Sequence, residues 1–581
     1  MPAFSVRRAQ ITAIITGVLG VLLALATPLM PVKQTVAEIS WPQNATVESI
    51  SSPLFSYAPI DLEVDIPCRA VDDLPQGKTV LLSTTSPSAP KASDRGLFAR
   101  VTNSSEPTVE VVTRNIPILS APLSEVRSAA CQTLEIRATS DSVSAEFVGL
   151  TDSAGDPRKA ETGTDNVPGG DQRPQVTGLF TQLSGPASAL PGLRAHMTVD
   201  SRYTTAPTIT KWLAIIIGVL CTLISLAALA RLDATDRRGH RRIFPARWWR
   251  LNPRDWTVIG LLVVWHLIGP NTSDDGYLMT MSRVAQESDY TANYFRWFGA
   301  PEAPFGWYYE VFGLLSHVSV ASPWMRLPAL ACGIISWLII SHEVLPRIGR
   351  AARVRAAVPW TAAAVFLVAW FPFNNGLRPE PIICLGALLT WCSVERAIAT
   401  GRLLPAAIAC TAGAFSIAAG PTGVLAIAAL VAGARPVFLA LRRRAIDVDA
   451  TTGRGATAAY ASMLAPIVAA GTFVIFVVFS KLTLSSFTEA SAMKTALGPS
   501  LNWYNEIDRY SSLFAFSADG SIARRFAVLT MVLGMTIAGA VLIRKSRIPG
   551  TALGPSRRIV GITFGSLLAA GHPADLFDAV V

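Results

Sequence analysis

Two adjacent carboxylates, Asp274 and Asp275, lie in the segment from Asn271 to Tyr277, directly after an apolar run that ends near Gly269-Pro270. Ionisable groups at the edge of a bilayer are costly to desolvate, so they are usually functional. Adjacent carboxylates repel each other, and this repulsion favours proton uptake by one of them, which suits a general base. The alternative is structural: Ser273 caps a helix whose dipole is complemented by both Asp residues.

A second polar motif, Asn374-Asn375-Gly376-Leu377-Arg378-Pro379-Glu380, follows a later apolar run. Arg378 is a candidate for binding a phosphate group because its planar guanidinium donates in two directions. The alternative is a surface ion pair between Arg378 and Glu380, with the arginine side chain extended along the membrane surface.

Aromatic residues crowd the segment that follows residues Asn271 to Tyr277, which we call the acidic turn. They predict either an aromatic belt at the membrane interface or a stacking surface for a sugar or a lipid carrier. The set is Tyr294, Phe295, Trp297, Phe298, Trp307, Tyr308 and Tyr309. An amphipathic helix is predicted to start at the turn and lie along the surface, because apolar residues recur at helical spacing. They are Tyr277, Leu278, Met281, Val284 and Ala285.

The composition predicts a polytopic membrane protein. Of 581 residues, 51% are hydrophobic and 15% are charged, and apolar runs of about 20 residues recur, the length that crosses a bilayer as a helix. The net charge of +10 does not indicate nucleic acid, because the arginines cluster in short loops between apolar runs. Eight lie between Arg231 and Arg254, which places that loop in the cytoplasm.

Ten membrane spans are predicted from these runs, and all basic clusters then fall on the cytoplasmic side while both polar motifs fall outside. The spans are Ile11 to Met30, Trp212 to Leu229, Trp256 to Gly269, Pro323 to Leu345, Val358 to Phe373, Ile382 to Ala399, Leu403 to Ala419, Gly423 to Leu441, Ala458 to Ser480 and Phe526 to Ile543. Arg442, Arg443 and Arg444 are taken to mark the cytoplasmic end of the eighth span.

Between the first two spans the chain changes character, and short β-rich runs with turn residues predict a β-sandwich outside the membrane. The runs are Ile60 to Val64, Thr79 to Ser83, Thr108 to Thr113, Thr133 to Arg137 and Val143 to Leu150. Cys68 and Cys131 are able to pair in an extracytoplasmic domain. The polar, glycine-rich stretch 153–175 is predicted to be a flexible loop.

The predicted domains are therefore a membrane anchor (1–30), a β-sandwich (31–210) and an incomplete multi-span domain (211–570), followed by an aberrant tail (571–581). Ile559 to Ala570 offers only 12 apolar residues before the charged tail, too few to span a bilayer. We therefore expect the product of a truncated or frameshifted gene, or an incomplete gene model.

Several long motifs in fixed order closely resemble the actinobacterial cell-wall arabinosyltransferases, the targets of ethambutol. The resemblance covers nearly the whole chain up to about Ala570. The motifs are Asn271 to Tyr277, Asn293 to Gly299, Ala303 to Tyr308, Trp324 to Pro328, Phe373 to Glu380 and Gly498-Pro499-Ser500. The resemblance implies a GT-C type, multi-span glycosyltransferase with a jelly-roll-like, carbohydrate-binding-like domain after the first span.

The resemblance also implies the reaction and several site residues. Arabinofuranose would pass from decaprenyl-phosphate-arabinose to arabinan of arabinogalactan or lipoarabinomannan on the outer face of the plasma membrane. Asp274 corresponds to the family's catalytic base, Glu302 to a residue of the acceptor and drug pocket, and Met281 to a drug-resistance position. The family's later Lys-Trp-x-His-His segment, further spans and C-terminal carbohydrate-binding domain have no counterpart in this sequence, and this leaves its activity an open question.

From the chemistry of such a donor we expect Arg378 to neutralise its phosphate, Asp274 to deprotonate the acceptor and Asp275 to assist Asp274 or orient the acceptor. Trp297 and Trp307 are the candidate acceptor-stacking residues. No Asp-x-Asp motif with nucleotide-binding surroundings occurs, so no cofactor and no metal are expected. Pairing with a second copy or a paralogue stays open. The competing hypotheses are a transporter or flippase of a lipid-linked sugar and a non-catalytic carbohydrate-binding remnant.

Overall fold

The chain folds as a β-sandwich that is joined at both ends to a bundle of apolar helices. The computed structural model describes residues 3–43, 45–51, 58–139, 141–163, 173–236, 248, 250–272, 274–289, 291–293, 300–348, 356–497, 537, 541 and 558. The predicted span Phe526 to Ile543 lies outside these residues except for positions 537 and 541. The motif at Gly498, the short apolar run Ile559 to Ala570 and the tail from Gly571 to Val581 lie wholly outside them.

Twelve strands of the described chain belong to the sandwich. They are β1 (Val32–Trp41), β2 (Ile50–Ser51), β3 (Asp61–Pro67), β4 (Val80–Ser83), β5 (Leu97–Val101), β6 (Thr108–Thr113), β7 (Ile116–Pro122), β8 (Thr133–Ala138), β9 (Ser142–Thr151), β10 (Pro157–Gly163), β11 (Gly178–Leu179) and β12 (Arg194–Pro207). One sheet has the order β1-β12-β3-β8-β9-β10, a second has the order β4-β5-β6-β7, and β11 pairs with β2.

The sandwich core forms because alternate residues of each strand face inward. In β8, for example, Leu134, Ile136 and Ala138 are buried while their neighbours are partly exposed. All five predicted β-rich runs are strands, and Cys68 and Cys131 form the disulfide that their location allowed. The predicted β-sandwich is thus confirmed.

The prediction of a loop at 153–175 is wrong for part of that stretch. Pro157–Gly163 forms β10, which pairs antiparallel with β9 at the edge of the larger sheet. An edge strand has one unpaired side and carries polar residues, so it lacks the apolar alternation that marked the other strands. Residues 164–172 are not among those described.

The remaining main elements are helices, with one small hairpin, β13 (Ala292–Asn293) and β14 (Ala300–Pro301). The helices are α1 (Ala3–Ala26), α2 (Ile209–Asp233), α3 (Pro253–Ile268), α4 (Asp275–Ser288), α5 (Trp307–Ser316), α6 (Leu327–Ile339), α7 (Ala357–Trp370), α8 (Glu380–Thr400), α9 (Leu404–Ile417), α10 (Val424–Thr452), α11 (Ala456–Val478) and α12 (Leu484–Leu497). Single turns are Leu123–Val126, Ser322–Met325 and Leu345–Ile348.

Within the described residues, six helical segments are long and apolar enough to cross a membrane, which confirms a multi-pass membrane protein. They are Ser5–Leu29, Ile209–Asp233, Leu327–Arg347, Glu380–Thr400, Pro421–Thr452 and Ala456–Val478. Two shorter apolar segments, Ala357–Phe373 and Leu404–Ile417, coincide with two further predicted spans. Helix α1 packs on α2 and α11, and α8 packs on α6, α9 and α10.

The end of α10 differs from the predicted boundary at Leu441. The helix continues through Arg442 and Arg443 to Thr452 and ends at Gly453, whose φ of +63° is the left-handed conformation that glycine adopts readily. Arg444 is buried, and its Nε and Nη2 atoms donate to the carbonyl oxygens of Gly401 and Asp233, each at 3.0 Å. Arg444 therefore anchors neighbouring segments, while the exposed Arg442 and Arg443 continue the helix beyond the predicted boundary.

Candidate active site

The acidic turn is fixed in place by donors from two later segments. Helix α3 ends at Ile268, and Arg326 donates from Nη1 to the carbonyl oxygen of Gly269 at 2.9 Å and from Nη2 to Oδ1 of Asn271. Asn374 donates to the carbonyl oxygen of Leu262 at 3.0 Å. The bond to Gly269 satisfies a backbone oxygen at the helix end, and the bonds together fix the direction in which the chain leaves α3.

Asp275 begins helix α4 and joins the turn to the second polar motif. Its carboxylate accepts hydrogen bonds from the backbone N–H of Thr272 at 3.0 Å, from the hydroxyl of Thr272, and from the backbone N–H of Leu377 at 2.9 Å. Leu377 directly precedes Arg378 in the chain. Asp275 thus holds the arginine segment over the turn, and its expected part in orienting an acceptor stays a prediction.

Asp274 and Arg378 form the ion pair at the centre of the site. Arg378 donates from both Nε and Nη2 to the Oδ2 atom of Asp274, at 2.9 Å for Nε. Both side chains keep contact with solvent, with 20% of Asp274 and 39% of Arg378 exposed. The alternative pairing of Arg378 with Glu380 is not the one that forms. Asp274 is the residue before α4, but its side chain caps no backbone N–H; Ser273, the predicted cap, lies outside the described residues.

The close approach of the two polar motifs requires glycine at position 376. A Cβ atom there would lie 2.5 Å from Cγ2 and 2.9 Å from Oγ1 of Thr272, and 3.2 Å from Oδ1 of Asp275. Real Cβ contacts are almost never this short, so any side chain at 376 would push the arginine segment away from the turn. Gly376 is therefore part of the machinery that brings Arg378 to Asp274.

The amphipathic helix predicted after the turn is α4, and its apolar face packs on α5. Leu278, Met281 and Ala285 are each at most 4% exposed. Together with residues of α5 and the arginine segment they form the floor of the site, a cluster of Leu278, Met281, Tyr308, Tyr309, Phe312, Met325 and Leu377. Met281 is 1% exposed in this floor, and its expected place in a drug pocket stays a prediction.

Glu302 reaches the site from the hairpin side. It follows β14, and its backbone N–H donates to the carbonyl oxygen of Thr291 at 2.9 Å. Its Oε2 atom is buried and has no hydrogen-bond partner among the described atoms. Lys494 of α12 donates to the carbonyl oxygen of Ala303 at 3.4 Å. Burial lowers the pKa of Lys494, and the charge of Glu302 opposes this effect.

Of the two tryptophans predicted to stack on an acceptor, only Trp307 lies within the described residues. Trp307 begins α5, and its indole N–H donates to the carbonyl oxygen of Phe415 at 3.1 Å. Its ring meets those of Tyr308 and Phe415 edge-on, with centroids 5.9 and 5.3 Å away. These contacts anchor α5 to α9, and a further contact with a sugar stays a prediction. Trp297 lies outside the described residues.

Tyr309, one of the aromatic residues predicted to form a membrane belt or a stacking surface, belongs to the floor of the site. It is 7% exposed, and burial raises the pKa of its phenol, with Glu302, Tyr277, Glu380 and Asp274 adding to the rise. The phenol therefore stays protonated, and the carboxylates whose charges raise its pKa come from three separate chain segments. Its position in an aromatic run indicated a membrane belt or a stacking surface, but the sequence did not indicate its charged neighbours, because they are distant along the chain.

Comparison with known proteins matches the chain along nearly its whole length. A family described as mycobacterial cell wall arabinan synthesis protein matches residues 206–571, and one described as arabinosyltransferase concanavalin like domain matches residues 33–202. The chain is 50% identical to the probable arabinosyltransferase C of Mycolicibacterium smegmatis and 44% identical to the probable arabinosyltransferase B of Mycobacterium avium. In each case 97% of this chain matches 51% of the relative.

A solved structure resembles the fold described above. The cryo-EM structure of arabinosyltransferase EmbB from Mycobacterium smegmatis superposes with a TM-score of 0.71 at 37% identity, over 97% of this chain and 53% of that one. The chain spans about half the length of the curated relatives it matches. The family predicted from the motifs around Asp274 and Arg378 is confirmed, and the chain belongs to the family of mycobacterial cell wall arabinan synthesis proteins.

Proposed function

We propose that this chain carries the reaction centre of an arabinosyltransferase. It takes arabinofuranose from decaprenyl-phosphate-arabinose and adds it to cell-wall arabinan, of arabinogalactan or lipoarabinomannan, at the outer face of the plasma membrane. The observation that carries the proposal is the ion pair of Asp274 and Arg378, which lies just after the end of the apolar helix α3. The names of the relatives support the same activity.

Arg378 serves the donor in this proposal. The leaving group of a sugar phosphodiester is already an anion, so it needs charge neutralisation more than a proton. A guanidinium fork supplies two charge-assisted hydrogen bonds to a phosphate, and Nε and Nη2 of Arg378 already point together at one carboxylate oxygen. A phosphate oxygen that takes the place of Oδ2 of Asp274 receives the same two donors.

Asp274 serves the acceptor. Once Arg378 is engaged by phosphate, Oδ2 of Asp274 is available to accept the proton of an acceptor hydroxyl. The hydroxyl oxygen then forms a bond to the anomeric carbon while the bond from that carbon to the phosphate oxygen breaks, and the electron pair leaves with the phosphate. A single displacement of this kind inverts the anomeric centre. Positioned bases of this type contribute about 10²–10⁴-fold to the rate.

The remaining groups place the two substrates. Glu302, with its buried and unpartnered Oε2, binds hydroxyl groups of the acceptor. Asp275 keeps Arg378 over the turn through the N–H of Leu377. The apolar faces beside the turn accommodate the polyprenyl chain of the donor, so the sugar remains at the membrane surface where Asp274 lies. Association with a second copy or a paralogue is compatible with this arrangement.

Incubation of membranes that contain this chain with radiolabelled decaprenyl-phosphate-arabinose and an arabinan acceptor tests the proposal. Transfer of label to the acceptor that is lost in Asp274→Ala at equal expression supports it. Movement of the lipid-linked sugar across the membrane without transfer indicates a transporter, and binding without either indicates a carbohydrate-binding protein. Retained transfer in Asp274→Ala removes that residue from the role of base.

A further inference from the structure

Two buried polar atoms near Arg378 have no partner in the described part of the chain, and the proposed reaction has not used them. They are Oε2 of Glu380 and the hydroxyl oxygen of Tyr308. Burial without a hydrogen bond costs about 1–3 kcal/mol for each group. Protein sites rarely keep such groups without a reason, and two close together point to a ligand that supplies the missing hydrogen bonds.

The backbone brings Glu380 to the apolar floor that contains Tyr308. Leu377, three residues before Glu380, is a member of the apolar floor that also contains Tyr308, and Ile382, two residues after it, packs against the same floor. Glu380 begins helix α8 between these two contacts. Tyr308 itself is 2% exposed, with its ring edge-on to Phe312 at a centroid distance of 4.9 Å, so the direction of its hydroxyl is fixed by packing.

Electrostatics agree with this placement. Burial raises the pKa of the Tyr308 phenol, and Cys332, Tyr309 and Glu380 add to the rise. The phenol therefore keeps its proton and is able to donate as well as accept. A carboxylate oxygen and a phenol at the same apolar floor form a pair of acceptor and donor, which matches the mixed hydrogen-bonding pattern of sugar hydroxyl groups.

We propose that Glu380 and Tyr308 bind the hydroxyl groups of the pentose that is transferred, and so determine which sugar the donor carries. This inference rests on the proposed function, because it assumes that Arg378 binds the donor phosphate. Residues two positions apart lie within about 7 Å along the chain. This distance is about the width of one sugar ring. A sugar bonded directly to a phosphate at Arg378 is therefore within reach of Glu380.

The acceptor sugar belongs to the other side of the site. Glu302 comes from the hairpin, and the charges of Glu302, Glu380 and Asp274 all raise the pKa of the Tyr309 phenol. We assign Arg378 and Glu380 to the donor side and Glu302 to the acceptor side. In this assignment Asp274 acts between the two sides, because the base must take a proton from the acceptor next to the donor sugar.

The test compares the affinities of the purified full chain for two lipids, polyprenyl-phosphate-arabinose and the same polyprenyl phosphate without sugar. The wild-type chain should prefer the glycosylated lipid. Glu380→Gln should reduce that preference by about tenfold to a hundredfold, the effect of losing a hydrogen bond to a charged group, and should leave the affinity for the bare lipid unchanged. Tyr308→Phe should have a smaller effect in the same direction.

Glu310→Gln is the matched control. Glu310 is a half-buried carboxylate on the same helix as Tyr308, but its charged neighbours are Lys481 and Asp289, so the substitution should leave the preference unchanged. The inference is overturned if Glu380→Gln keeps the wild-type preference, because only water would then bridge the two groups. It is also overturned if the substitution lowers the affinities for both lipids equally. A wild-type chain without any preference overturns the proposed function as well.

Discussion

Asp274 and Arg378 neutralise each other across 104 positions of the sequence. The proposed reaction needs both groups for other partners, since the arginine must bind a phosphate and the carboxylate must accept a proton. An arginine that binds phosphate releases the carboxylate at the same moment. The pair therefore couples arrival of the donor to activation of the base, and it favours an order in which the donor binds before the acceptor reacts.

The first prediction concerns Arg378→Lys. A lysine keeps the charge but has no planar fork, so it cannot donate twice to one oxygen from fixed directions. We expect the KM for the lipid-linked donor to rise and kcat/KM to fall by about tenfold to a hundredfold, with the KM for the acceptor unchanged. Steady-state kinetics with each substrate varied in turn measure both constants.

Arg283→Lys is the control for that change, because Arg283 is an exposed arginine on α4. It should leave all constants at the wild-type values. An unchanged donor KM in Arg378→Lys, or a rise confined to the acceptor KM, would contradict the assignment of Arg378 to the donor phosphate.

The second prediction separates the two carboxylates of the acidic turn. Asp274→Asn should abolish transfer with little loss of stability, since ion pairs with this much solvent contact contribute about 0–1 kcal/mol. Asp275→Asn should lower the free energy of unfolding by about 1–3 kcal/mol, because it loses bonds that Thr272 and Leu377 donate. It should also reduce kcat without abolishing it. Denaturant titration and initial rates on both variants decide the matter, and equal behaviour of the two variants would refute the division of roles.

Much of the architecture follows from local patterns. Apolar runs such as Ile209–Asp233 and alternating strands such as Thr133–Ala138 bury their own side chains by rules that act over a few residues. The disulfide of Cys68 and Cys131 joined the only two cysteines outside apolar runs. The resemblance of the motifs then identified the family and pointed to Asp274 and Glu302, and the chemistry of a phosphodiester donor pointed to Arg378.

The pairings inside the site could not be read from the sequence. Whether Arg378 meets Asp274 or Glu380 depends on how the loop after α7 folds back over the turn after α3, and this is decided by contacts such as Asn374 to Leu262. Helix α10 also extends beyond the predicted span boundary at Leu441, and the sequence did not show this for a similar reason. A hydrophobic pattern marks where lipid ends, but a helix continues as long as its backbone bonds and its tertiary partners, here those of Arg444, favour it.

The third prediction tests the close packing of the two motifs. Gly376→Ala places a methyl group 2.5 Å from Cγ2 of Thr272, so it should displace Arg378 and reduce transfer strongly. Thr272→Ser removes that Cγ2 methyl and keeps the hydroxyl that donates to Asp275. The double variant should therefore recover part of the lost activity, which a double-mutant cycle measures.

Gly276→Ala provides the comparison, because a Cβ atom at Gly276 meets no atom within 4 Å. Gly276 lies in the first turn of α4, where alanine is favoured over glycine by up to about 1 kcal/mol. The variant should thus be as stable as the wild type or more so. Additive effects of Gly376→Ala and Thr272→Ser would show that the two positions do not contact each other in the way described.

The fourth prediction concerns the pH dependence of the sandwich. Burial by itself raises the pKa of Asp65, but hydrogen bonds and charges from Arg194 and Arg137 outweigh it and hold the pKa below its usual value. A carboxyl group whose pKa is lower in the folded state stabilises that state above its unfolded pKa of about 3.9. The stabilisation disappears as the pH falls through the lower, folded value.

Asp65→Asn should therefore lower the free energy of unfolding at pH 7, by about 1–3 kcal/mol for hydrogen bonds to a charged group, and the difference from wild type should shrink as the pH falls below about 4. Glu63→Gln is the control on the same strand, since Glu63 is half exposed and 3.8 Å from Nε of Arg137, and it should change stability little at any pH. Denaturant titrations of the full chain between neutral and acidic pH, followed by a signal from the β-structure, measure these differences. A constant deficit of Asp65→Asn over the whole range would mean that the substitution disturbs packing and that the ion pairs with Arg137 and Arg194 contribute no pH-dependent stability.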